Sequence, residues 1–198
     1  MRPAGIILAA GESSRMGRDK ALLDYGGATF LEHLIRLFLP RVSPVVVVLG
    51  HHAAEIRGAL APRPGLQVVI NKGYQAGQLS SLQTGIRALP AASPAALVTL
   101  VDHQSVAAAT IDAMLDRFRS AAPALVIPRC QGRRGHPVLF SRRLLDEILA
   151  LPPSASAKQV VHAHQQDTSY LDVNDPGVWR DIDSPADYKT LMEDATAP

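Results

Sequence analysis

The chain has 198 residues, enough for a full hydrophobic core, and 47% hydrophobic against 19% charged residues is an ordinary globular balance. A net charge of +2, with the basic residues spread along the chain, offers no clustered patch for nucleic acid. One cysteine, Cys130, excludes an intramolecular disulfide and a cysteine-rich metal site, which fits a reducing cytoplasm.

Residues 5–10, GIILAA, read as a buried strand that passes straight into the glycine loop GESSRMGRDK. No cleavage site follows it, and no apolar run reaches the roughly 20 residues that cross a bilayer, so neither a signal peptide nor a membrane span is expected. Residues 29–39 follow as a helix, with Phe30, Leu31, Leu34, Ile35, Leu37 and Phe38 in one stripe and Glu32, His33 and Arg36 outside it. Apolar strands at 44–49, 66–70, 96–101 and 124–127 then alternate with helices at 53–60, 80–89 and 110–120. Strands that are apolar throughout suit a parallel sheet covered on both faces. Beyond Pro128 come a strand at HPVLF, a helix over 141–151, a loop at PPSASA, a helix over 158–164 and a strand at TSYLDV. A closing helix over 184–193 has Ser184 as its cap, Pro185 at its first position and Asp187 at its third. The alternation predicts an α/β three-layer architecture with right-handed crossovers. There is no repeat, and the loops at 90–94 and 152–157 are too short to part domains, so one domain over 1–198 is expected.

In an open parallel sheet, ligands gather where loops leave the carboxyl ends of strands. Gly11 lets the backbone turn there, the N–H groups of residues 11–14 suit phosphate oxygens, and Arg15 and Lys20 supply charge-assisted bonds. The glycine–lysine–serine ending of a Walker loop is missing, and Gly11 to Gly17 has the wrong spacing for a dinucleotide fingerprint. On chemistry alone the segment is a phosphate loop or a solvated turn. Asp102 follows the strand at 96–101 and reads as a magnesium ligand or a turn former. Asp183 in DIDSP offers a second carboxylate, or is a turn residue ahead of the closing helix. Ser80 and Ser81 are placed to cap the helix LQTGIRAL, and Arg133 and Arg134 read as solvated. His51, His52, His162 and His164 form no metal-ligand set and are expected at the surface; a two-residue step keeps the last pair off one helical face.

LAAGESSRMGRDKALLDYGG, then GQLSSLQTGIRAL, LVTLVDHQ, GRRGHPVLF and DIDSPADY in that order, resembles the MobA-like nucleotidyltransferases, the family of the molybdopterin guanylyl- and cytidylyltransferases. The resemblance implies a Rossmann-like nucleotidyltransferase domain with a mostly parallel central sheet, a nucleoside triphosphate substrate and Mg²⁺. It implies that Leu8, Ala9, Ala10 and Gly11 line the nucleotide site, that Arg15 and Lys20 hold the triphosphate, and that Gly77, Ser80 or Ser81 lies beside the base. Asp102 and Asp183 would converge on the metal, with Asp181 as the substitute, and Asp102, Arg15 and Lys20 would be the catalytic set. Gly135, His136 and Pro137 would face the acceptor, with His136 orienting it and Lys158 adding a charge. The guanylyl relatives usually carry two glycines where this chain has LAAG. That difference, with RRGHPVLF and DIDSPADY, places the chain nearer the cytidylyl branch: CMP moved from CTP to molybdopterin or another small phosphorylated acceptor, in the service of a molybdenum hydroxylase.

Two segments differ from the family pattern. DHQS has Gln104 where a proline is common, and SASAKQVV lacks the usual acidic residue and has Lys158 for an arginine, losing the planar fork that grips phosphate. Two further classes therefore stand beside the enzyme: an accessory protein that hands molybdenum cofactor or nucleotide to a molybdenum hydroxylase, and an oxidoreductase with a nucleotide cofactor. The glycine spacing counts against the latter.

Overall fold

The computed structural model describes residues 2–196. Its elements run β1 (Ala4–Ala9), β2 (Asp24–Tyr25), β3 (Ala28–Thr29), α1 (Phe30–Phe38), β4 (Val45–Leu49), α2 (Ala53–Gly58), β5 (Leu66–Ile70), α3 (Gln78–Arg87) and β6 (Ala95–Leu100). There follow α4 (Ala108–Ala121), β7 (Leu125–Cys130), β8 (Arg133–Arg134), β9 (Val138–Ser141), α5 (Arg142–Ala150), α6 (Ala157–Ala163), β10 (Thr168–Asp172) and α7 (Pro185–Thr196).

The main sheet has the order β10-β7-β9-β6-β1-β4-β5, with β8 paired to β7. Strands β5, β4, β1 and β6 run parallel, and β10 runs parallel to β7. Only β9 in that row opposes its neighbours, lying antiparallel to both β6 and β7. The fold is therefore α/β with a mostly parallel mixed sheet. Every residue of β1 and β4 is buried, as a strand covered on both faces requires.

Alternate residues divide those strands between two cores. Ile7, Val47 and Leu49 pack with Leu34, Ile35 and Phe38 of α1, Ile56 of α2 and Met114 of α4. Ile6, Leu8, Val46 and Val48 meet Leu82 and Ile86 of α3, Leu144 and Ile148 of α5 and Val160 of α6 on the other face. Cys130 is a buried, free thiol in the first of these cores. Helix α1 begins on Thr29, whose hydroxyl accepts from the Glu32 N–H at 3.1 Å.

Three details depart from the sequence reading. DYGGAT forms the hairpin β2–β3, because Gly26 and Gly27 both take positive φ (62° and 81°) and close a two-residue turn. Helix α3 starts at Gln78, so Ser80 and Ser81 lie inside its first turn and do not cap it. The Asn71 amide donates to both their hydroxyls, at 2.8 and 3.0 Å. His164 is not a free surface residue: its ring meets Glu147 at 2.6 Å and is largely covered.

The chain passes from β1 to β4 and β5 on one side, then returns through α3 to place β6 on β1's other flank. The crevice between the carboxyl ends of β1 and β6 is thus the topological switch point of the sheet.

Candidate active site

At this switch point lies a cleft of about 570 Å³. Leu8, Ala9, Ala10, Gly11, Arg15, Lys20, Gly77, Ser81, Asp102 and Asp183 all line it. The loop after β1 is held open by local bonds: the Ser13 hydroxyl accepts from the Lys20 N–H at 3.1 Å, and Ser13 itself turns with φ of 50°. Met16 anchors the loop in a small core with Leu23, Phe30, Ile182 and Leu191.

That small core decides which aspartate of DIDSP enters the cleft. Ile182 is buried against the loop, and α7 is fixed behind it by a reciprocal cap. Asp187 accepts from the Ser184 N–H at 2.8 Å, while the Ser184 hydroxyl and the Asp187 N–H face each other at 3.3 Å. Asp183 then reaches Lys20 and Arg15, and Asp181 stays exposed.

Lys20 joins the two carboxylates. Its Nζ donates to Asp102 Oδ2 at 2.8 Å and to Asp183 Oδ1 at 2.7 Å, and Arg15 Nη2 lies 2.8 Å from Asp183 Oδ2. Burial lowers the Lys20 pKa, but Asp102 and then Asp183 outweigh it, so the ammonium is held above the ordinary lysine value. The Lys20 bond holds the Asp183 carboxyl below the usual range against the effect of burial, with Arg15 adding to it. One oxygen of Asp102, Oδ1, is enclosed without a hydrogen-bond partner. An anionic oxygen left bare beside a second carboxylate is a donor set of the hard, oxygen-only kind that suits a divalent cation such as Mg²⁺.

The residues assigned to the acceptor lie apart from the cleft lining. Lys158 is exposed on α6, and Ser80, assigned to the base, is likewise outside the lining, which Ser81 joins. His136 is next to the site at one remove: its ring centroid is 4.8 Å from that of His103, the residue after Asp102. Burial pushes the His136 imidazole down to about 4, with His103 beside it adding to the effect. Burial likewise lowers His103, against the opposing pull of Asp102 and Asp181. Gly135 admits no side chain, because a Cβ there would overlap the Val178 carbonyl.

Sequence reasoning missed three groups here. Glu12, Asp19, Tyr74, Gln75 and Gln78 also line the cleft. Asp19 draws in His51 and His52, which are therefore not the independent surface histidines expected from the sequence. Asp175 ties the segment before α7 to the loop after β6, accepting from the Ala107 N–H (2.8 Å), the Thr110 hydroxyl (2.6 Å) and the Gly177 N–H (3.0 Å). Asp-Pro-Gly marks Asp175 locally only as the cap of a short turn, since the partners that tie it to the loop after β6 lie 65 and 68 positions away. Asp175→Ala is expected to lower stability by about 3 kcal/mol, as loss of bonds to a buried charge should. Urea unfolding of the variant checks this, and a change within 0.5 kcal/mol or so would deny Asp175 that role.

A switch-point cleft that combines a glycine loop, two cations and two convergent carboxylates defines the nucleotidyltransferase class. The family described as "MobA-like NTP transferase domain" matches residues 5–168, and the chain belongs to it. Asp183 lies beyond the matched span. Among relatives, the chain is 26% identical to the molybdenum cofactor cytidylyltransferase of Escherichia coli over 95% of this chain and 94% of the relative. It is 32% identical to a probable molybdenum cofactor guanylyltransferase of Mycobacterium marinum (93% and 90%) and 31% identical to the nicotine blue oxidoreductase of Paenarthrobacter nicotinovorans (91% of each). The crystal structure of Rv0371c from Mycobacterium tuberculosis superposes with a TM-score of 0.84 at 28% identity, covering 98% of both chains. A manganese complex of Rv0371c gives 0.80 at 27%, over 98% of this chain and 99% of that one. Among the described residues, no helix is long and apolar enough to cross a membrane.

Proposed function

We infer that this nucleotidyltransferase moves CMP from CTP to molybdopterin or a similar small phosphorylated acceptor, releasing pyrophosphate. The observation that carries the reading is the meeting of Asp102 and Asp183 on Lys20, at the mouth of the glycine loop. Backbone N–H groups of the loop, with Arg15 and Lys20, hold the triphosphate straight, and Gly77 and Ser81 flank the base. An oxygen of the acceptor phosphate attacks the α-phosphorus as the bond to pyrophosphate breaks, so the protein needs no covalent intermediate. Positioning and charge neutralisation carry such transfers.

Asp102 and Asp183 are the residues that would hold Mg²⁺. The bound ion would neutralise charge on the triphosphate as pyrophosphate leaves. Lys20 links the two carboxylates until the triphosphate draws its ammonium away. His136, neutral at physiological pH because of its burial, orients the acceptor loop through its neighbours and carries no charge to the acceptor. Gly135 and Pro137 shape that loop, and Lys158 provides a distant charge on the acceptor's path.

CTP is expected to bind more tightly than GTP. Ala10 is buried at the end of the cleft's first strand, where its methyl narrows the space for a purine. A single methyl is worth about 1–3 kcal/mol, so the preference should be roughly 10- to 200-fold. Titration of the four ribonucleoside triphosphates with Mg²⁺ measures it, and a preference for GTP would move the chain to the guanylyl branch. Pyrophosphate release from CTP that depends on molybdopterin tests the reaction. Tight CTP binding with no release would favour the accessory protein that passes cofactor to a molybdenum hydroxylase.

A second reading draws on the Paenarthrobacter relative, whose name is that of an oxidoreductase. It requires a redox cofactor that co-purifies with the chain or supports turnover. A bound nicotinamide would favour it over nucleotidyl transfer.

A further inference from the structure

Asp19, His51 and His52 come together where the loop after β1 meets the turn after β4. We propose that these three residues form a transition-metal site of the Zn²⁺ type, separate from the Asp102–Asp183 pair, which ties the nucleotide loop to the turn after β4.

One ligand atom from each residue lies within 4.8 Å of the others. His52 Nδ1 donates to Asp19 Oδ2 at 2.6 Å, and His51 Nδ1 lies 3.9 Å from Asp19 Oδ1. Both imidazoles thus present the same ring nitrogen to one carboxylate, with their centroids 3.8 Å apart. The Asp19 side chain is only 7% exposed, so its charge calls for a close positive partner. His51 Nδ1 is itself enclosed and has no hydrogen-bond partner. A buried carboxylate and an unpartnered imidazole nitrogen facing it are satisfied together by one cation, which takes the place of the proton on His52 Nδ1.

The donor set selects the ion. Two imidazole nitrogens and one carboxylate suit Zn²⁺ and its neighbours in the first transition row, and leave a fourth position open. Mg²⁺ prefers oxygen ligands and belongs with the aspartate pair. The site also has a structural effect. Asp19 lies in the loop that lines the cleft, and the His51 N–H donates to the Ala10 carbonyl at 3.2 Å. An ion here would cross-link residues 10–20 to the β4–α2 turn at the wall of the nucleotide cleft, which Asp19 lines. This proposal does not depend on the assignment of nucleotidyl transfer, and its test reads no turnover.

The test is calorimetric titration of the metal-free full chain with Zn²⁺, with Co²⁺ absorption as a report of coordination. One equivalent should bind to the parent and to Asp102→Asn alike, with a rise in melting temperature. His52→Ala and Asp19→Asn should each weaken binding by about 100-fold or more, beyond what loss of an outer partner does. His52 has φ of 46°, so His51→Ala is the companion variant that leaves that backbone unaltered and should show the same loss. No Zn²⁺ binding by the parent, parental binding by His51→Ala, or loss of binding in Asp102→Asn would overturn the proposal.

Discussion

Asp102→Asn is expected to reduce nucleotide transfer on the order of 100- to 1000-fold while leaving triphosphate affinity within a few-fold of the parent, as loss of one charge stabiliser typically does. Asparagine is nearly isosteric, and its carbonyl still accepts the Lys20 ammonium that now lies 2.8 Å from Asp102 Oδ2. What disappears is the negative charge on the carboxylate whose other oxygen is enclosed without a hydrogen-bond partner. Under the proposed chemistry, that charge holds Mg²⁺ against the phosphates. Asp183→Asn should behave alike, and Asp181→Asn should be mild because Asp181 faces solvent. Pyrophosphate release at saturating Mg²⁺, paired with nucleotide titration, measures the two effects separately. Parental turnover by Asp102→Asn would take the metal role from this residue, and equal losses at Asp181 and Asp183 would leave the second ligand open.

Lys20→Met should act in two opposite directions. Triphosphate affinity should fall roughly 10- to 100-fold, the range for losing charge-assisted bonds. Affinity of the free protein for Mg²⁺ should rise, because Lys20 occupies both carboxylates in the resting site, and like charges left facing each other favour a cation. Calorimetric titration with Mg²⁺ alone, then with CTP and Mg²⁺, reads both signs. A variant that binds CTP as the parent does would return Lys20 to a structural role, that of neutralising two neighbouring aspartates. The folded site sets the acid limit of this arrangement: Asp183 stays ionised below the ordinary carboxylate range, so its pairing weakens only as pH falls through that lowered value.

Segments whose fate depends on their own residues were legible in the sequence. GIILAA and its relatives at β4 and β6 read as strands covered on both faces, since the runs are short, rich in Val, Ile and Leu, and apolar apart from Thr99 in β6. The glycine loop had to leave at a carboxyl end, because it follows the first of those strands. The stripe of α1 and the Ser184–Asp187 cap of α7 are likewise local chemistry, and the structure places both within a residue of where the pattern put them. The resemblance to the MobA-like family added roles to these positions, which periodicity does not supply.

Tertiary structure alone decided what distant segments share. HPVLF is equally apolar in either direction, and only its place between β6 and β7 makes β9 antiparallel. Asp181 and Asp183 are chemically alike, and the burial of Ile182 in the core around Met16 selects between them. His51 and His52 carry no metal spacing by themselves. Their third partner, Asp19, stands more than thirty positions earlier, and the adjacency of β1 and β4 in the sheet brings the loop and the turn together. Local sequence sets which backbone each stretch adopts through sterics and burial, but which side chains meet depends on strand order, a property of the whole chain.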